Sequence, residues 1–388
     1  MVCFFDKIVS VHNIHGTYYY YYIMKFIIEQ NILVETLQRI QSPSSFRQNF
    51  PILNCILLRT IDNKIQLTTT DLDITIISYC EGTIEKNGEI AIPAKRFIPI
   101  IRELPKKEIT LEVVKNNLLI KCEKIEFKIN CMDPKEFPQI EEEKRKILIK
   151  LPPADLLEMI KLTSFSVGLE EVNYVLNGIL FELYKNKLSL ASTDGKRLSS
   201  VSRNLPSEQP EIHKKIEFIL PLKSINELYK LLKDCKEELF LFTEKNIIGF
   251  DLKNTIFISK PIEGEFPNYS QYIPPPSNNK LTINRREFLA SLRRAELLSA
   301  PDYQGVKLEL KKQELILSKS TPQLGEVKEN IPAQYTGNHL ELGFNPTYLL
   351  DVLKNLEDEV VSFEIYDVDK PAVLRVENYI YLVLPMKL

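Results

Sequence analysis

Three times along this 388-residue chain an alternating apolar strand runs directly into an amphipathic helix of the same design. The copies read GEIAIPAKRFIPIIRELP from Gly88, KIEFILPLKSINELYKLLKD from Lys215 and LELGFNPTYLLDVLKNLED from Leu340. Their prolines, Pro93, Pro221 and Pro346, mark expected helix starts and recur about every 125 residues, a domain's length rather than a solenoid repeat's. A second set keeps the same period: MKFIIEQNILVETLQRI from Met24, RKILIKLPPADLLEMIKL from Arg145 and NKLTINRREFLASLRRAELL from Asn279. Apolar residues at 3.6-residue spacing, such as Leu33, Leu37 and Ile40, predict a helix in each. A third echo sets Glu136-Phe137-Pro138 against Glu265-Phe266-Pro267. One domain triplicated in tandem points to a curved or closed assembly rather than to a single reactive pocket.

Between the helices the pattern has period two, as in KIQLT, TLEVV, EFKIN and KLELK, with turn signals at Asn87-Gly88, Asp194-Gly195 and Glu263-Gly264. Each domain is therefore expected to be α+β, two helices packed on mostly antiparallel sheets. A charge run at Glu141-Glu142-Glu143-Lys144 and the stiff Pro274-Pro275-Pro276-Ser277-Asn278 segment divide the chain into domains at 24–143, 145–274 and 279–388. Residues 1–23 match nothing in the repeats. The segment lacks a signal peptide's basic start and cleavage site, and translation is expected to begin at Met24.

The net charge of −2 by itself points to no polyanion partner. The placement of charge is more informative. Basic residues gather on the helices: Lys95, Arg96 and Arg102; Lys223, Lys230 and Lys233; Arg285, Arg286, Arg293 and Arg294. Such faces are either ordinary solvated surfaces or a set of helices turned toward a polyanion. Six cysteines without a CxxC pair argue for a reducing compartment and against a disulfide framework or zinc site.

Catalytic motifs are missing. There is no phosphate-binding loop and no GxGxxG, and neither His213 nor His339 sits in a nucleophile or metal pattern. Asp71 and Asp73 in TTTDLDITI share one face if extended, yet no third ligand is spaced to complete a site, which favours a turn role. The Thr193–Arg197 segment reads as a hairpin turn with Gly195 at positive φ. No enzyme activity, metal or cofactor is expected.

Over residues 24–388 the chain resembles the bacterial DNA polymerase III beta subunit, the replicative sliding clamp family. The segments that carry the resemblance are MKFIIEQNILVETLQRI, FPILNCILL, TTTDLDITI, IPAKRFIPIIRELP, NGILFEL, STDGKRLS, EGEFPNY, GFNPTYLLDVLKNL and the terminal VLPMKL. The resemblance implies a head-to-tail homodimer: a six-domain ring, helices inside, around duplex DNA. It implies a cytoplasmic processivity factor that binds DNA without regard to sequence. Its partners would be the polymerase catalytic subunit, the clamp loader, other polymerases and repair proteins, held through short peptides. A clamp-like interaction scaffold that does not encircle DNA is the alternative, and a nuclease using Asp71 and Asp73 a remote one.

Carried over residue by residue, the DNA-facing positions are Arg47, Lys95, Arg96, Tyr174 and Lys223. Glu170 and Glu171 depart from the polar or basic loop usual there. The peptide groove maps to Leu176, Thr193, Gly195, Lys196, Arg197, Leu198, Pro267, Gln271, Tyr272, Asn345, Tyr348, Pro371, Leu382, Leu384, Pro385, Met386, Lys387 and Leu388. Gln271 and Tyr272 replace the family's usual basic and aliphatic residues, so peptide preference is expected to shift. The ring contact maps to Phe127 and Ile129 against Leu297 and Leu298.

Overall fold

The computed structural model describes residues 11–14, 17–20, 24–41, 50–61, 63–139, 146–169, 173–206 and 212–387. Arg47, the Glu170–Glu171 pair, the 141–144 charge run and Leu388 lie outside the described residues, as does part of the 1–23 extension.

Six amphipathic helices form where the 3.6-residue spacing predicts them. They are α1 (Gln30–Ile40), α2 (Ala94–Glu103), α3 (Pro153–Thr163), α4 (Leu222–Asp234), α5 (Arg285–Glu296) and α6 (Pro346–Asn355). Each buries one apolar stripe, for example Phe97, Ile98 and Ile101 on α2 or Ile225, Leu228 and Leu232 on α4. The three marker prolines do not play one role. Pro346 is the first residue of α6, but Pro93 and Pro221 close the strands that precede α2 and α4. A proline cannot donate to a strand ladder, so all three punctuate the same junction from either side. Asn284 and Asn345 cap α5 and α6, their side-chain oxygens accepting backbone N–H bonds from the first turn.

The chain divides into two compact units. The first comprises residues 1–150 and 235–260. It holds a five-stranded sheet in the order Ile125–Asn130, Asn117–Cys122, Glu108–Val114, Lys25–Glu29, Thr83–Lys86. It also holds an eight-stranded sheet, in which Thr255–Ser259 pairs antiparallel with Ile74–Cys80, Ile256 opposite Ile77. Phe242, Ile77 and Ile256 pack together over that junction. Helices α1 and α2 lie against each other in the same unit.

The second unit comprises residues 151–234 and 261–388 and is built on one twelve-stranded sheet. Here Arg197–Asn204 pairs antiparallel with Tyr379–Val383, Arg197 opposite Val383, and so joins the two halves of the sheet. Helix α3 packs on α4, and α5 on α6. The Pro-rich connector is tied down rather than merely stiff. Buried Glu364 accepts from Arg375 Nε at 2.9 Å and from the Tyr366 hydroxyl at 2.9 Å. Arg375 also donates to the carbonyl of Pro274, and the Tyr366 hydroxyl shares its one proton between Glu364 and the carbonyl of Pro275.

Both sheet junctions begin at the same turn. Asp71 Oδ1 accepts from the N–H groups of Asp73 and Ile74, and Asp194 Oδ1 accepts from those of Lys196 and Arg197. Thr70 Oγ1 accepts from Leu72 N, as Thr193 Oγ1 does from Gly195 N. The left-handed residue is Leu72 in the first copy, φ 79°, and Gly195 in the second, φ 82°. Asp71 therefore spends its carboxylate on its own backbone and is buried, which answers the paired-carboxylate question in favour of a turn.

Candidate functional site

The groove positions read from the sequence that can be described lie in the second unit, around the junction just described. Leu198 opposes Leu382 across the paired strands, and both pack with Val373 into a small core. Tyr269, Ile273, Tyr366 and Ile380 lie over that core, half-buried. On the other side of Tyr269, Leu176 and Phe266 cover a second cluster of Val175, Leu180, Ala191 and Ile219. Tyr269 thus links two apolar floors. Its hydroxyl donates to Glu182 Oε2 at 2.5 Å, and burial together with that carboxylate pushes its pKa well up.

The C-terminal tail runs beside this floor because its backbone is held. Leu384 N donates to Lys196 O at 2.9 Å and Met386 N to Gly343 O at 2.8 Å. Leu384 and Met386 are left exposed, 40% and 38%, as apolar surface. Tyr272 is also exposed, at 63%, on the short turn Tyr269–Tyr272, with Gln271 beside it. Pro267 is exposed and Pro371 half-buried at the head of strand Ala372–Val376.

Arg197 sits deeper than its expected role suggests. It is only 9% exposed, its Nε on Asp194 at 3.0 Å and its Nη1 on Asp351 at 2.6 Å. The Tyr348 ring lies 4.5 Å from its guanidinium carbon. Burial pulls its pKa down, but the Asp351 hydrogen bond and the surrounding charges outweigh this and hold it above the ordinary value. It remains a cation. Arg197 therefore fixes α6 to the strand junction and presents an edge, rather than reaching out from the wall. Asn345 is similarly occupied: its Oδ1 caps α6 through Thr347 N, while its Nδ2 reaches Gln304 Oε1 at 3.5 Å. Asp351, Tyr269, Ile273 and Phe165, whose ring centre lies 5.8 Å from the Arg197 guanidinium carbon, belong to this site and were not singled out from the sequence. Asp351 is 154 residues from Arg197.

The expected DNA-facing side chains Lys95, Arg96, Tyr174 and Lys223 are all exposed, the basic ones on the polar faces of α2 and α4. The wider basic set is smaller than composition suggests. Arg294 is held by Glu329 through two 2.6 Å bonds, Arg285 by the carbonyls of Leu353 and Asp358, and Lys230 by Glu227. Of the ring-contact residues, Leu297 is 81% exposed, Leu298 half-buried and Phe127 40% exposed, whereas Ile129 is buried within its own sheet. On that terminal strand the exposed apolar side chains are Phe127 and Ile125. A group that could hold an ion, Glu309, His339 and Glu341, escaped the sequence analysis. Lys311 and Lys307 already neutralise its two carboxylates.

Family models match this chain in order and almost end to end. The N-terminal domain of the DNA polymerase III beta subunit matches residues 24–141, its central domain 150–268 and its C-terminal domain 270–387. The chain belongs to the DNA polymerase III beta subunit family. It is similar to the beta sliding clamp of Proteus mirabilis, 32% identical over 373 residues, covering 94% of this chain and 100% of that one. The Pseudomonas putida beta sliding clamp is 31% identical over 370 residues, with the same coverage. Among solved structures, the Pseudomonas aeruginosa DNA polymerase III subunit beta aligns with a TM-score of 0.89 at 29% identity, covering 94% and 100% of the two chains. The Bacillus subtilis sliding clamp aligns at 0.87 and 31% identity, covering 94% and 99%. Another Pseudomonas aeruginosa clamp was crystallised bound to griselimycin. This chain is thus a three-domain DNA sliding clamp of replication, a processivity factor rather than an enzyme and not the clamp-like interaction scaffold weighed as the alternative. No helix among the described residues is long and apolar enough to cross a membrane.

Proposed function

We propose that two copies of this chain close head to tail into a ring around duplex DNA in the cytoplasm and tether polymerases to it. The repeating units are the domains 24–143, 145–274 and 279–388, six to the ring. The observation that carries this reading is the threefold recurrence of a helix pair whose apolar stripe is buried and whose outer face bears exposed lysine and arginine. A tether must slide. Hydrogen bonds to base edges would pin it to a sequence, whereas attraction between lysine or arginine and phosphates leaves axial motion nearly free. Lys95, Arg96, Tyr174 and Lys223, with Arg47, supply that contact, and topology supplies the residence time.

The groove around Leu176, Leu198 and Leu382, walled by Leu384, Pro385 and Met386, takes the apolar anchor of a partner's short linear peptide. Bearers of such a peptide are the polymerase III catalytic subunit, the clamp loader, and other polymerases and repair proteins. The Arg197–Tyr348 pair and Asn345 orient the peptide's polar groups; Thr193, Gly195, Lys196, Pro267, Gln271, Tyr272, Pro371 and Lys387 form the rim. Native mass measurement tests the closure: the ring has twice the 45.0 kDa chain mass. A chain that stays single at micromolar concentration is no closed clamp.

A further inference from the structure

Glu182 stands outside the groove positions, yet its carboxylate is the fixed point of the groove's tyrosine wall. It lies on strand Gly178–Tyr184, directly opposite Glu217 on strand Ile216–Pro221. Like charges facing each other across a strand pair are unfavourable. Lys215 resolves this by bonding both, its Nζ at 2.6 Å from Glu182 Oε1 and 2.6 Å from Glu217 Oε1. Oε2 of Glu182 is then left for Tyr269, whose hydroxyl donates to it at 2.5 Å across 87 residues of sequence. The Glu182 side chain is only 15% exposed, so water offers that oxygen little alternative. Burial first, and the carboxylate second, raise the Tyr269 pKa, so the phenol keeps its proton and is the donor. A hydrogen bond to a carboxylate is charge-assisted and holds more tightly than a neutral one. What it holds is a wall. Tyr269 packs on the Leu198–Val373–Leu382 floor and on the Leu180–Ile219 floor beside it, with the Phe266 ring edge-on at 6.4 Å. It also opens the 3-10 turn Tyr269–Tyr272, in which residues three apart eclipse, so its placement carries the exposed Tyr272 with it.

We propose that Glu182 is a positioning residue for partner recognition: through the Tyr269 hydroxyl it sets where the Tyr269 and Tyr272 rings stand beside the floor that takes a partner's apolar anchor. The inference rests on the groove reading and refines it. Glu182 touches no peptide itself. It acts by fixing the wall beforehand, so that less side-chain and loop freedom remains to be lost when a peptide binds.

The test titrates the full-length protein against the fluorescein-labelled peptide Ala-Leu-Ala-Leu-Phe and follows anisotropy, with thermal melting of each variant alongside. Tyr269→Phe keeps the ring and deletes only the donor; it is expected to bind about fivefold more weakly. Glu182→Ala is expected to show the same loss, and the double variant no further loss, because the second change has nothing left to act through. Glu182→Gln keeps an acceptor for the hydroxyl and is expected to recover most of the affinity. A Glu182 that serves only the fold would lower the melting temperature of Glu182→Ala and leave its affinity unaltered, and this outcome overturns the proposal. Losses that add in the double variant overturn it as well, while leaving the groove intact. An unaltered protein that binds no peptide removes the groove reading, and this proposal with it.

Discussion

Arg197 shows how one side chain can hold a site together while offering it no more than an edge. Its two ion pairs and the Tyr348 ring bind a strand junction to α6 across 154 residues of sequence. Replacing it with alanine leaves the half-buried carboxylates of Asp194 and Asp351 without their shared counter-ion. Arg197→Ala is therefore expected to lower the unfolding free energy by about 3 kcal/mol, read by urea titration, and to abolish peptide binding. Lysine at this position keeps the charge but cannot fork between two carboxylates, so Arg197→Lys is expected to fall between the two. The paired turns offer a cleaner comparison. A leucine held at φ 79° carries a steric penalty that Gly195 escapes in the equivalent place. Leu72→Gly is expected to raise stability by several tenths of a kcal/mol, part of the strain relief being offset by the freer unfolded chain. Gly195→Ala has open space around the added Cβ and pays only for its φ, about 1 kcal/mol. Equal melting temperatures for all three proteins would show that these backbones are not strained.

At the scale of elements, charge ties helices to strands. Arg294 on α5 grips Glu329 on the strand Gly325–Tyr335, and this hydrogen bond first of all holds the Glu329 carboxyl below its ordinary value of 4.5. A carboxylate with a depressed folded pKa adds stability above its unfolded pKa and loses it as the pH falls through the folded value. Arg294→Ala is thus expected to destabilise modestly at neutral pH, by less than about 1 kcal/mol for so exposed a pair, and not at all in acid once the Glu329 carboxyl is protonated in both states. A penalty that persists in acid would point to lost packing of the arginine stem. Much at this scale was legible beforehand. Apolar residues at 3.6 spacing located all six helices to within a residue or two, and Asp-Gly located the Thr193–Arg197 turn. Strand partnership was not legible. Ile74–Cys80 and Thr255–Ser259 have the period-two look of many strands here, and nothing local says that they meet across some 180 residues. The groove suffered the same blindness. Leu198 and Leu382 read as ordinary core residues, and only a family likeness drew them together; Asp351, on a helix already explained by its apolar stripe, gave no sign of its partner.

The whole molecule repeats one solution to one problem. A domain of this length folds around its own helix pair yet leaves strand edges to cover, and at two junctions the strand after an Asp-capped turn covers one by pairing with a strand from elsewhere in the chain. The end strand Ile125–Asn130 is an edge of the same kind, with no strand paired to its outer side among the described residues, and Phe127 is exposed on it. Leu297, 81% exposed at the end of α5, is the apolar residue that a second copy would bury. Leu297→Ala combined with Leu298→Ala is expected to yield monomers by sedimentation velocity, with melting of each monomer little changed; a dimeric double variant would place the ring contact elsewhere. Closure matters because linkage, rather than affinity, is what would keep a protein of net charge −2 on DNA. The decisive measurement is retention of the loaded protein on a nicked circular plasmid during gel filtration at high salt, before and after a single restriction cut. A ring stays with the circle and slips from the linear product. Equal loss from both forms, or equal retention, would contradict encirclement.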